Sequence, residues 1–322
     1  MKNYITSELL IDGSPIEHYP SSMGHCMYNY LVGLLLSKKL DMKFVHKDLS
    51  NSSSRFNSLF NLNSVFPTVD QIEFQRVVKI PIIHEKANHL DVSNVNSLHN
   101  FDYDKICNSI SENVDNNIST LFVIGDTTGN HLPGLMIVDS ECIIEDLQKA
   151  YWSKNENNKT VYNNDFINVA IHIRRGDVIT LVHPDRWRDN NYYCDLISQI
   201  KSKIPKSKFF VFTEGSKKDF PEFAKISNLT SEFYEFSLFG ENQMFNQNYI
   251  SDINVIVGGI DYEVFHQFVS SDILVTGQSS FSTIAAYFTK NKVVYTPCIN
   301  FTRFENFNSD RFIRFDQINN RL

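Results

Sequence analysis

Five short apolar runs punctuate the second half of the chain: Ile167–Ile173, Phe209–Phe212, Ile253–Val257, Ile273–Thr276 and Val293–Thr296. Between them lie segments with helical periodicity near 191–203, 216–226, 261–270 and 281–290. A strand with one wet face alternates apolar and polar residues, whereas these runs are continuously apolar, as strands buried on both faces are. Strands of that kind separated by amphipathic helices call for a parallel sheet covered by helices on both sides. Such sheets bind ligands in the crevice outside the carboxyl ends of their strands, so the residues following each run are the first place to look for chemistry.

The first half is less regular. Ser21-Ser22-Met23-Gly24-His25 reads as a small-residue loop. Met27, Tyr30, Leu31, Leu34 and Leu35 then form one stripe of a helix running to about Leu40, and Met42–His46 reads as a buried strand. Asp48–Asn63 is rich in Ser and Asn, which predicts a surface loop or lid. Val77–Ile83 is strand-like but contains Pro81, which favours a sheet edge, and Leu121–Ile124 suits the sheet interior. Glu141–Trp152 has helical spacing. The polar stretch Ser153–Asn164 is the natural boundary, dividing the 322 residues into domains 1–160 and 161–322, each long enough for its own core.

A net charge of −7 excludes a surface built throughout to neutralise nucleic-acid phosphates, although a local anion site is compatible with it. No run approaches the roughly 18–20 apolar residues that span a bilayer, and the first residues lack a basic start followed by an apolar core. Five cysteines, odd in number and without a CxxC pair, are expected as reduced and mostly buried thiols. Together these features predict a cytoplasmic protein.

The strongest chemical signal is His172-Ile-Arg-Arg-Gly-Asp177, where the first strand of the second half ends. Two adjacent guanidiniums there suit a phosphate or diphosphate, since each is a planar fork of donors that keeps its charge. The alternative is that Arg174 and Arg175 are a surface pair bridged to acids. Gln278-Ser-Ser-Phe-Ser282 follows the strand Ile273–Thr276 and opens a helix. Its free N–H groups and hydroxyls make a second anion or sugar-hydroxyl site, or serve only as a helix cap.

These two motifs, about a hundred residues apart, resemble the α1,2/α1,6/protein-O-fucosyltransferase superfamily, and Met23–Tyr30 with Lys38-Lys39-Leu40 is similar to that family's first loop and helix. The resemblance implies a GT-B fold, two Rossmann-like domains facing a cleft, with the acceptor on the amino-terminal side. It implies an inverting enzyme that moves fucose from GDP-fucose to a glycan hydroxyl without a metal or other cofactor. Carried over by position, Arg174 holds the β-phosphate with Arg175 as its companion, and His172 and Asp177 contact the nucleotide or order the arginine loop. Asp261 recognises guanine, Glu214 is an acid after a strand, and Gly24 faces the cleft. Ser280 and Ser282, with Ser279 and Phe281 in the same motif, stand beside the diphosphate. The general base stays open between Asp177, His25 and His183. The chain departs from the family in having Gly24-His25-Cys26 in the first loop, Thr283-Ile284 after Ser-Phe-Ser, and no acid in Val178–Val182. The alternatives are a transferase of the same fold using another nucleotide sugar and a non-catalytic module binding a nucleotide or glycan.

Two other patterns have simpler accounts. Asp102-Tyr-Asp104 matches a short metal-binding pattern but precedes a helical stretch, where carboxylates cap helices. His84 and His89 are five apart, which does not put both on one helix face as a zinc-protease motif does. No P-loop and no GxGxxG sequence occurs, which argues against a P-loop kinase or a dinucleotide-dependent dehydrogenase.

Overall fold

A computed structural model describes residues 2–7, 23–46, 59–80, 103–124, 141–175, 178, 187–226, 228–237, 243–295 and 310–322. The chain divides into two compact units, Met1–Glu156 and Asn157–Leu322, with the division inside the polar stretch Ser153–Asn164.

In the first unit, strands β1 (Tyr4–Ser7), β2 (Lys43–Phe44), β3 (Arg76–Ile80) and β4 (Thr120–Ile124) form an all-parallel sheet in the order β2-β1-β4-β3. Helices α1 (Met23–Lys39) and α2 (Tyr103–Glu112) bury Val32, Leu36, Ile106 and Ile110 against Ile5, Phe122 and Ile124 on one face. Helix α3 (Glu141–Asn155) completes the unit. The Val77 strand is at an edge and the Leu121 strand is interior, as Pro81 and the apolar run suggest. Three expectations are corrected. The Met42–His46 run yields only a two-residue edge strand, with His46 bridged to Thr68 beyond it. Residues 31–37 of α1 are buried all round, because a sheet and a second helix enclose them. Of the Ser/Asn-rich segment, residues 59–63 are described; Leu59, Phe60 and Leu62 are buried there and not part of a surface loop.

The second unit holds seven parallel strands: β5 (Ile167–Ile173), β6 (Ser207–Thr213), β7 (Ser231–Phe236), β8 (Ile253–Gly258), β9 (Ile273–Val275), β10 (Lys292–Tyr295) and β11 (Phe312–Arg314). Their order is β11-β10-β9-β5-β6-β8-β7. Val169, Ile171 and Ile173 face α4 (Asn190–Lys203) and α7 (Ile318–Arg321) in one core. Ala170 and His172 point to the opposite face, covered by α5 (Asp261–Ser270) and α6 (Ser280–Phe288). Helices thus cover both faces of a parallel sheet, as the apolar runs require. The expected helix at 216–226 is instead two 3₁₀ turns, Lys217–Asp219 and Phe223–Lys225, separated by Phe220, Pro221 and Glu222. Strand β7 follows them with no buried residue and with Glu232 and Glu235 exposed, so its apolar signal is weak.

Candidate functional site

From β5 the chain winds outward through α4 to β6, and from β9 it winds the opposite way through α6 to β10. The crevice between the carboxyl ends of β5 and β9 is therefore the topological switch point, the place where an open parallel sheet leaves room for a ligand. Registration fixes what stands there. Ile173 pairs with Thr213, and Thr213 with Val257, so Arg174, Glu214 and the Gly258-Gly259 turn into Asp261 leave the sheet at one level. Both glycines of that turn have positive φ (78° and 94°), and a Cβ on Gly258 would lie 2.4 Å from the Phe236 carbonyl oxygen, so the sharp entry into α5 depends on glycine.

The two arginines separate. Arg174, its side chain 29% exposed, donates from Nη1 to Glu214 Oε1. Arg175 is 4% exposed and does not stand beside Arg174 as a second ligand donor. Its guanidinium gives hydrogen bonds to the carbonyls of Arg174 (3.0 Å) and Arg188 (2.9 Å) and to Asn190 Oδ1 (2.7 Å), and stacks 3.9 Å from the Trp187 ring centre. Arg175 is thus a fold-holding residue, correcting the expectation of a paired anion clamp. Its partner Asn190, the first residue of α4, carried no signal in the sequence except its place after a cap-forming Asp189.

Behind Arg174 lies a buried relay. His172, 2% exposed, sits against Phe268 and Phe281, and its Nδ1 is 2.9 Å from Ser282 Oγ. Ser282 is fully buried and accepts the Gly277 N–H at 3.1 Å. A Cβ on Gly277 would lie 2.6 Å from the His172 carbonyl oxygen, so glycine lets the β9 turn press against β5. His172 Nε2 is 3.7 Å from Glu214 Oε1, the same oxygen that Arg174 holds, while Glu214 Oε2 accepts the Arg175 N–H at 3.2 Å. His172 thus stands behind the arginine turn, and Ser282, expected beside the diphosphate, is buried against His172. Ser279 is the α6 N-cap and accepts the Phe281 N–H at 3.3 Å; Ser280 is nearly buried and Phe281 half-buried.

The electrostatics pull two carboxyls apart. Enclosure by protein is the largest single influence on Glu214 and opposes its ionisation. His172, Arg174 and the Arg175 N–H together outweigh it and hold the group at about 2. Asp261 is pushed up, first by enclosure and then by the Glu214 charge, with Arg174 and His172 pulling the other way. Arg174, His172, Glu214 and Asp261 thus form one electrostatic cluster. Gly24 and His25 lie in the first turn of α1 and not in a loop before it. The His25 side chain, Asp177, His183, Asp102, His84 and His89 lie outside what is described. Among the free thiols, Cys107 is buried but Cys142 is exposed, so the expectation of buried cysteines holds only in part. Among the described residues no helix is long and apolar enough to cross a membrane.

No protein-family model matches the sequence, and no curated protein matches it. Among solved structures the chain is similar to the E. coli heptosyltransferase WaaC with ADP-2-deoxy-2-fluoro heptose, at 10% identity over 98% of this chain and 92% of that one, with a TM-score of 0.34. It is similar to E. coli ADP-heptose lps heptosyltransferase II at 11% identity over 98% and 90%, TM-score 0.34. A UDP-forming α,α-trehalose-phosphate synthase from Burkholderia xenovorans matches at 8% identity over 63% of this chain, TM-score 0.30, and the match spans 43% of that synthase. A likeness this loose assigns no substrate.

Proposed function

We propose that the second unit binds the diphosphate of a nucleotide sugar at the β5–β9 switch point and that the protein is an inverting glycosyltransferase. The observation that carries this reading is the part-exposed Arg174 guanidinium at the carboxyl end of β5, steadied from behind by a buried relay. When a glycosidic bond to a diphosphate breaks, negative charge grows on the leaving group. A fixed cation facing that group stabilises the transition state more than the ground state. Arg174 supplies that charge without a metal. The helix start at Ser279–Ser280 adds backbone N–H groups on the other wall of the crevice. The His172–Asp177 and Ser279–Ser282 motifs make GDP-fucose the donor and a glycan hydroxyl the acceptor, with the Asp261 carboxylate as partner for the guanine edge.

Calorimetry with GDP, UDP and ADP in excess chelator, followed by GDP-fucose transfer to a glycan array, tests each part. GDP is expected to bind tightest and transfer to survive the chelator. Tighter binding of UDP or ADP replaces the donor, GDP binding without transfer or hydrolysis makes the protein a binding module, and absence of any diphosphate binding ends the proposal.

A further inference from the structure

We infer that Glu214 is a built-in stand-in for the anionic group of the ligand: its Oε1 engages the Arg174 guanidinium, and the buried Ser282–His172 pair is the receiver to which that oxygen passes when a phosphate takes Arg174. The inference rests on the diphosphate site proposed above and adds to it how the site is kept filled and emptied.

Three observations carry it. Arg174 Nη1 and His172 Nε2 both address one oxygen, Oε1, whereas Oε2 is tethered by the Arg175 N–H at 3.2 Å. The carboxylate therefore has a fixed end and an end that turns between two partners. Next, the relay is polarised. Ser282 Oγ already accepts the Gly277 N–H at 3.1 Å, and its single proton is better directed to His172 Nδ1 at 2.9 Å than to the Ser279 carbonyl at 3.5 Å. A proton on Nε2 then faces Oε1 at 3.7 Å, an arrangement common to the Nε2–H tautomer and the imidazolium. The gap is longer than a hydrogen bond and closes with a small turn of the carboxylate. Finally, His172 and Ser282 are buried, so they act on a ligand only through Glu214 and are positioning residues.

A carboxylate that competes with phosphate for one guanidinium weakens binding of the free diphosphate and so favours its release after transfer. The full chain is titrated calorimetrically with inorganic pyrophosphate, which is blind to the base, and with GDP. Glu214→Gln keeps an oxygen for Arg174 and Arg175 but removes the charge, and is expected to bind pyrophosphate on the order of tenfold tighter, the scale of one charge pair near a surface. Ser282→Ala is expected to weaken binding several-fold in the native background and not at all in the Glu214→Gln background, because its effect runs through the displaced carboxylate.

An equal loss in both backgrounds makes Ser282 merely structural and overturns the receiver. A Glu214→Gln protein that binds no tighter than the native one overturns the stand-in. Should Ser282→Ala not fold, Glu214→Gln alone decides. Native protein that binds neither probe removes the phosphate site itself. Binding that Arg174→Ala abolishes and Glu214→Gln does not tighten removes only this inference.

Discussion

The two edges of the seven-stranded sheet are both polar, but they differ in where they stand in the topology. At the amino edge side chains close onto backbone and onto one another, as in the Lys201–Asp252 ion pair at 3.1 Å. Asn168 Nδ2 donates to the carbonyls of Asn163 and Phe166, each at 3.0 Å, and Asp272 Oδ2 accepts the Asn168 N–H at 2.8 Å. Asp252 Oδ2 accepts from the Thr230 N–H at 3.1 Å and its hydroxyl at 3.0 Å. At the carboxyl edge, Arg174 ends on Glu214 and Ser282 on His172, while Arg175 ends on the carbonyls of Arg174 and Arg188. Asp252 is held as Glu214 is, one oxygen on a cation, Lys201 at 3.1 Å, and the other on a backbone N–H; what differs is place, since the Arg174–Glu214 pair stands at the β5–β9 switch point. The first edge stitches the fold, and the second is the one at which we propose that a ligand binds.

The largest effect expected from that contrast is at Arg174. Arg174→Ala removes the cation proposed to face the leaving group, and loss of one such donor typically costs about 3–4 kcal/mol in the barrier. Transfer should fall by roughly 10²–10³-fold with the melting temperature little changed, read by steady-state kinetics beside calorimetric unfolding. Retention of near-native turnover would break the assignment.

Arg175→Ala tests the same edge in the opposite sense. It leaves Asn190 Oδ1 and the Arg188 carbonyl without their donor and strips the Trp187 ring, the kind of loss that destabilises a buried network by about 3 kcal/mol. Urea unfolding should show that loss. Any fall in pyrophosphate affinity should be smaller than that of Arg174→Ala. If the two substitutions behave alike, the arginines form one site and the separation drawn here is wrong.

That separation marks the limit of the sequence. Five runs without alternation specify the parallel sheet, and a motif straight after a run puts Arg174 and Glu214 at its carboxyl edge; both follow from local rules. Which of two adjacent arginines turns inward depends on Trp187, Arg188 and Asn190, at and just before the start of a helix twelve to fifteen residues after Arg175, and no local pattern announces that. Ser282 shows the converse. In sequence it belongs to a helix-start motif, but the close approach allowed by Gly277 seals it under His172. The short or weakly apolar strands β1, β7 and β11 escape for another reason: their neighbours supply the pairing that their own residues barely signal.

A smaller effect is expected at the amino edge. Asp272→Ala frees the Asn168 N–H and one amide contact, which costs about 1 kcal/mol of stability. Pyrophosphate affinity should be unchanged in the same protein. A change there would mean that the stitched edge communicates with the crevice and that the two edges are not independent.

The smallest effect is in acid, where it depends on sign. Glu214 titrates at about 2 in the folded chain and near 4.5 when unfolded, so between those values the unfolded chain binds the extra proton. Its contribution is therefore complete above 4.5 and lost as pH falls through 2. Asp252, also held down against the enclosure that opposes its charge, has the same sign at the amino edge. Asp261 has the opposite sign: its raised folded pKa favours the fold below 3.8, and that contribution is lost as pH rises through the raised value. Because the Glu214 side chain is 37% exposed, solvent screening keeps its share modest. Melting curves from pH 6 down to 2.5 should therefore fall less steeply for Glu214→Gln than for the native chain, and more steeply for Asp261→Asn. Parallel curves for all three would show that the carboxyl edge does not hold its two acids apart, leaving it no different in kind from the stitched edge opposite.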